Sequence, residues 1–91
     1  SVYMDVNYQG RGTGKMLLSH AIAWAEARGF RQLVAVVGNS ENRGSLALHS
    51  AAGFSITGTL RSVGFKHGRW LDTVILQRTL GQGDATPAES N

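Results

Sequence analysis

Two periods of apolar residues follow each other along the chain, and the changes of period mark its elements. Residues 1–6 (SVYMDV) are a short apolar run with strand character. A helical pattern then runs from Gly12 or Thr13 to Arg28. Leu17, Ala21, Trp24 and Ala25 recur at helical spacing with Leu18 and Ile22 beside them, while Lys15, Ser19 and Glu26 lie off that stripe. Trp24, as a member of the stripe, is expected in the core. Gly29 is placed to end the helix as a left-handed cap, with Phe30 folding back on the last turn. Residues 33–37 (LVAVV) are apolar at every position, as in a strand covered on both faces. Strand, helix and buried strand make one βαβ unit, whose two strands run parallel.

The second half repeats the alternation once and then changes. Ser40 or Asn42 can cap a second helix over residues 43–52, and Gly53 stops it. Residues 56–65 and 70–80 are rich in β-forming residues. They are joined by the polar turn Lys66-His67-Gly68-Arg69, which predicts a β-hairpin. Residues 81–91 (GQGDATPAESN) have no apolar periodicity and predict a disordered tail. The expected fold is α/β with a mixed sheet, in the order β-α-β-α-β-β, forming one domain over residues 1–80. Two helices and one hairpin are few elements to cover LVAVV on both faces. The first strand would also carry an open edge. The chain is therefore not expected to stand alone as a folded monomer.

Composition narrows the chemistry. At 91 residues the chain holds one small domain. A net charge of +3 and a pI near 10.0 suit an anionic ligand. The basic residues are scattered rather than grouped, which argues against specific nucleic-acid binding. With no cysteine there is no disulfide, thiolate zinc site or cysteine nucleophile. No apolar run is long enough to span a membrane and no signal peptide is visible, so a cytoplasmic protein is expected. The sequence starts within a strand pattern and is read as part of something longer.

The stretch with the clearest candidate chemistry is residues 9–14 (QGRGTG), between the first strand and the first helix. Glycines there let backbone N–H groups converge, and the following helix N-terminus adds unpaired amides and the positive end of its dipole. Together they can hold phosphates. A dinucleotide-binding fold would add a third glycine, a further parallel strand and an acidic residue about 20 residues on, and these are missing.

Three motifs, in order, resemble those of the GNAT superfamily of acyl-CoA-dependent N-acetyltransferases. They are Gln9-x-x-Gly12-x-Gly14; then Asn42-x-x-Ser45-x-x-Leu48-His49-x-x-x-Gly53-Phe54; then Gly58-Thr59-Leu60-Arg61 through Lys66-His67-Gly68-Arg69-Trp70-Leu71-Asp72. The last is similar to the phosphinothricin and methionine-sulfoximine acetyltransferase branch. The resemblance covers residues 1 to about 80 and corresponds to the C-terminal half of that family's domain.

The resemblance implies acetyl-CoA as acyl donor and the amine of a small amino acid or analogue as acceptor, provided the N-terminal half is supplied. It implies that Val2, Tyr3 and Met4 pair their backbone with the pantetheine arm. Amides over Gln9, Gly10, Arg11, Gly12, Thr13, Gly14 and Lys15 would hold the pyrophosphate, and Asn42 would bond the donor near its reactive end. Arg11 and Lys15 are equally well read as solvated charges, and Asn42 as a helix cap. His49 stands where many members carry a tyrosine acting as general acid. It is either that proton donor or a histidine hydrogen-bonded within a helix–sheet interface. Lys66, Arg69 and Trp70 could recognise an acceptor carboxylate, stabilise a dimer edge or simply decorate the hairpin. His20 and His67 are expected at the surface. The general base is expected upstream of Ser1. A homodimer through the hairpin is expected by the same resemblance. An acetyl-CoA-binding piece inactive without its other half, or an enzyme acting on a protein N-terminus, are the alternatives.

Overall fold

A computed structural model describes residues 3–6, 14–38 and 43–88. The elements are β1 (Tyr3–Val6), α1 (Gly14–Ala27), β2 (Gln32–Val37), α2 (Arg43–Ala51), β3 (Ser55–Lys66) and β4 (Arg69–Thr79), in the order that the hydrophobic pattern predicts. One mixed sheet holds the strands in the order β1-β2-β4-β3. β1 and β2 are parallel, and β4 runs antiparallel to both β2 and β3. β3 is therefore parallel to β2, with β4 between them. Both helical connections step the same way across the sheet. A right-handed crossover at each puts α1 and α2 on one face, where they meet.

That face carries the core. Leu33, Ala35 and Val37 of β2 alternate inward and are buried beside Val74 and Leu76 of β4. The pairs Ala35–Leu76 and Val37–Val74 sit side by side in register. Leu18 and Ala25 of α1, Phe54 and Leu80 complete the buried set, with Met4, Ile22, Phe30, Leu46, Leu48 and Ala52 packed against it.

Two expectations are corrected here. LVAVV is covered on one face, not two: Val34 and Val36 are only half-buried, because both crossovers deliver their helices to the same side. Trp24 is not core but 47% exposed, and Leu17 is open as well. The helix turns positions 18, 22 and 25 toward the sheet, and residues 17 and 24 each stand about 100° round from it. The Trp24 ring instead stacks on Phe30, with centroids 6.2 Å apart, and Arg28 lies 4.3 Å over its face.

Both helices end in the same way. Gly29 (φ +82°) and Gly53 (φ +92°) take the left-handed position. At the first end Gly29 N–H donates to Glu26 O and Phe30 N–H to Ala25 O. At the second, Gly53 N–H donates to Ser50 O and Phe54 N–H to His49 O, all at 3.0–3.1 Å. The hairpin turns through His67 (φ +53°) and Gly68 (φ +76°), a two-residue turn with both angles positive. Residues 81–88 lack apolar periodicity yet fold as turns fastened to Arg31, so the expected disorder does not extend over them.

Candidate functional site

β1 and β2 point their carboxyl ends the same way, and in open α/β sheets that end is where ligands bind. The described pairing runs from Tyr3–Gln32 to Val6–Ala35. β2 continues through Val36 and Val37, which pair with Ile75 and Val74 of β4. Next to this end α1 begins at Gly14. Its first turn holds no acidic residue to compete with a bound anion. Lys15 stands exposed in that turn. Gln9, Gly10, Arg11, Gly12 and Thr13 lie outside the described residues, as do Val2 and Asn42. Asn42 directly precedes Arg43, the first residue of α2.

Tyr3 and Met4 are in place on β1, but their backbones already lie in the ladder with Gln32 and Leu33. A ligand arm adding to β1 must use the groups β2 leaves, since each strand residue aims its N–H and C=O at one neighbour. Met4 packs against the core and Tyr3 is exposed.

The hairpin reaches the same end of the sheet. β4 meets β2 only from Val74 onward, so residues 69–73 project past the carboxyl end of β2, about 17 Å at ~3.4 Å per residue. At the tip, Lys66, His67, Arg69 and Leu71 line an open hollow of about 380 Å³. Trp70 is 65% exposed and meets Phe65 edge-on, with centroids 5.0 Å apart. The structure thus brings the β1–β2 ends, the start of α1 and the basic hairpin tip to one end of the molecule.

His49 belongs to the interior. It is 1% exposed, on the side of α2 that faces the sheet. Its Nδ1 lies 2.8 Å from Ser45 O, one turn back, and Phe54 packs against the ring in a T-shaped contact at 5.2 Å. A carbonyl can only accept, so the hydrogen sits on Nδ1. In the neutral ring Nε2 then carries none, and only the doubly protonated ring can give a proton from Nε2.

Two arginines make contacts that the sequence pattern does not announce. Arg78 of β4 donates from Nε to Ala52 O at 2.8 Å and from Nη1 to Thr79 O at 3.1 Å. It thereby ties the carboxyl end of α2, where carbonyls and dipole favour a cation, to the sheet. Arg31 holds residues 83–87. Neither had a local signal, because the ties they make, Arg78 to Ala52 and Arg31 to residues 83–87, are to carbonyls distant in sequence. The described residues include no group of His, Asp and Glu side chains that could hold a metal ion. No described helix is long and apolar enough to cross a membrane.

A parallel strand pair feeding a glycine-entered helix, followed by a second helix with a Gly-Phe cap and a hairpin, is an acyltransferase arrangement, and residues 1–54 match the acetyltransferase (GNAT) family. The chain belongs to that family. Over 89 residues it is 52% identical to a phosphinothricin N-acetyltransferase of Alcaligenes faecalis, covering 98% of this chain and 45% of that protein. It is 40% identical to an L-methionine sulfoximine/L-methionine sulfone acetyltransferase of Salmonella typhimurium, covering 97% of this chain and 51% of the relative. Among solved structures, a GNAT superfamily phosphinothricin acetyltransferase from Sinorhizobium meliloti, in complex with acetyl-CoA, superposes with a TM-score of 0.81. It has 48% identity over 91% of this chain and 44% of that one. The chain spans about half the length of these relatives.

Proposed function

We propose that this chain, as the C-terminal part of an acetyltransferase domain over residues 1–80, serves the transfer of an acetyl group from acetyl-CoA to a primary amine. The proposed acceptor is a small amino acid or analogue of the phosphinothricin or methionine sulfoximine kind. The observation that carries the reading is the family match running through β1, α1 and β2, whose strand carboxyl ends and helix N-terminus lie at the end of the sheet described above. The acetyl group passes by direct attack of the neutral amine on the thioester carbonyl. A carbon–nitrogen bond forms, the carbon–sulfur bond breaks, the nitrogen gives up one proton to leave a neutral amide, and the leaving thiolate takes up one.

In this reading backbone amides over Gln9–Gly14, with Lys15 beside them, hold the pyrophosphate at the start of α1. Val2, Tyr3 and Met4 lie along the pantetheine arm, and Asn42 bonds the donor at the start of α2. Lys66, Arg69 and Trp70 recognise the acceptor's carboxylate from the projecting hairpin, which also supplies a homodimer contact. Residence in the cytoplasm is part of the same proposal. For His49 the proton-donor role carries a condition: delivery is from Nε2 of the charged ring, because Nδ1 faces Ser45 O. The buried setting favours the holding role. The His49→Ala variant separates the two. A fall in kcat with acetyl-CoA affinity intact supports the donor, whereas an unchanged kcat with a lower melting temperature leaves only the holding role.

A second reading is favoured by the half-covered sheet: the chain binds acetyl-CoA but turns it over only when more polypeptide completes the domain. Calorimetry with acetyl-CoA tests what both readings share. A folded Gly12→Val protein is expected to lose affinity at least about tenfold, since a β-branched side chain fills the phosphate space. Full affinity would refute the assignment of the loop.

A further inference from the structure

The last described residues wrap around one side chain. Leu80, fully buried, donates its N–H to Arg31 O at 2.9 Å. Beyond it Gly83 N–H donates to Leu80 O and Ala85 N–H to Gln82 O, each at 2.9 Å, so the backbone curls through two turns. The guanidinium of Arg31 lies inside the curl. Its Nη1 donates to Gly83 O at 2.6 Å and to Thr86 O at 3.3 Å, and its Nη2 donates to Pro87 O at 3.1 Å.

The sequence is shaped for this curl. Gly81 and Gly83 both take positive φ, +54° and +56°. Gly83 is also buried, and a Cβ there would lie 2.5 Å from Thr79 Cγ2. Residues 81–87 have little apolar surface with which to order themselves. A planar fork with five fixed donors can gather several carbonyls, whereas an ammonium offers one point of charge. The curl closes the end of the sheet where β2 begins, opposite the strand carboxyl ends, because Arg31 immediately precedes Gln32.

We propose that residues 80–87 form a clasp closed by the Arg31 guanidinium, a folded strap that locks this end of the sheet over Leu80. Removing the fork or adding a side chain at Gly83 opens the strap as a unit.

Hydrogen exchange of the full chain, read by mass spectrometry, tests this. The Gly83 and Ala85 amides should exchange at least about tenfold more slowly than in an unstructured peptide. Arg31→Lys keeps the charge but is expected to lose most of that protection. Gly83→Ala is expected to lose it too, while peptides from the β3–β4 hairpin keep theirs. Cleavage before Asp84 by an aspartate-directed protease should speed up in both variants. Exchange at the unstructured rate across residues 81–88 in the unaltered chain overturns the clasp, whatever the rest of the chain does. Protection that survives Arg31→Lys and Arg31→Gln overturns the role of the guanidinium.

Discussion

The two faces of β2 and β4 use similar residues and meet different surroundings. On one face Leu33, Ala35, Val37, Val74 and Leu76 are buried under both helices. On the other, Val34, Val36 and Ile75 are half-buried with no described element above them. Toward the clasp this open face turns polar: Gln77 Nε2 donates to Gln32 Oε1 at 2.9 Å, and Thr79 Oγ1 donates to the same oxygen at 3.4 Å. Toward the carboxyl end of β2 it stays aliphatic, with Val36 beside Ile75. Burial in this sheet follows the hand of the crossovers rather than the hydrophobicity of each position. The aliphatic patch left bare there is the surface that the remaining half of a relative's length is proposed to cover.

The contrast should be plainest in stability. Leu76→Ala empties a closed site and is expected to cost about 2–5 kcal/mol, whereas Ile75→Ala, its neighbour on the open face, should cost under about 1 kcal/mol. Urea midpoints of the chain by itself, taken at a dilution below its association, check this, and equal losses there would mean that both faces are covered. Next in size is Gly53→Ala. It forces a side chain to φ +92° with its Cβ 3.0 Å from Arg78 Nε, where the covered face is tied to α2. A loss of about 1–3 kcal/mol is expected. Gly58→Ala, with nothing within 4 Å, is the control.

The open face should also show itself in association. The unaltered chain is expected to sediment as an oligomer or aggregate, and Ile75→Lys should raise the concentration at which it associates by about tenfold. Trp70→Ser tests whether the exposed hairpin contributes. A compact monomer with a cooperative melt would contradict this, because the open face would then need no cover. The smallest effect is expected outside both faces. Arg61 pairs with Asp72 at 3.9 Å from a side chain 84% exposed, so Arg61→Ala should change stability by less than about 0.5 kcal/mol.

Local chemistry was legible in the sequence where one or two neighbouring residues decide the outcome. Gly29-Phe30 and Gly53-Phe54 announce two caps with the same hydrogen bonds. Lys66-His67-Gly68-Arg69 announces the hairpin. Element order followed from period alone. What stayed hidden depends on partners far away in sequence. LVAVV reads the same whether one face or two is covered. Trp24 shares a helical stripe with core residues, and only the rotation of α1 on the sheet leaves it outside. The curl at residues 81–87 has no pattern of its own, because its order comes from Arg31, 52 residues before Gly83. For the candidate site, the sequence offered both readings of His49, and the Nδ1 contact favours the holding one. The loop motif runs over residues 9–14, of which 9–13 lie outside the described residues and Gly14 opens α1.

The proposed activity is tested most directly by thiol release from acetyl-CoA. The catalyst would be this chain joined to the first half of the Alcaligenes faecalis relative, with phosphinothricin, methionine sulfoximine and an alanine-initiated peptide as acceptors. Saturable release is expected with the amino-acid analogues, little with the peptide, and a loss of at least about tenfold in Gly12→Val. A folded assembly that binds acetyl-CoA yet acetylates none of the amino-acid analogues would contradict it.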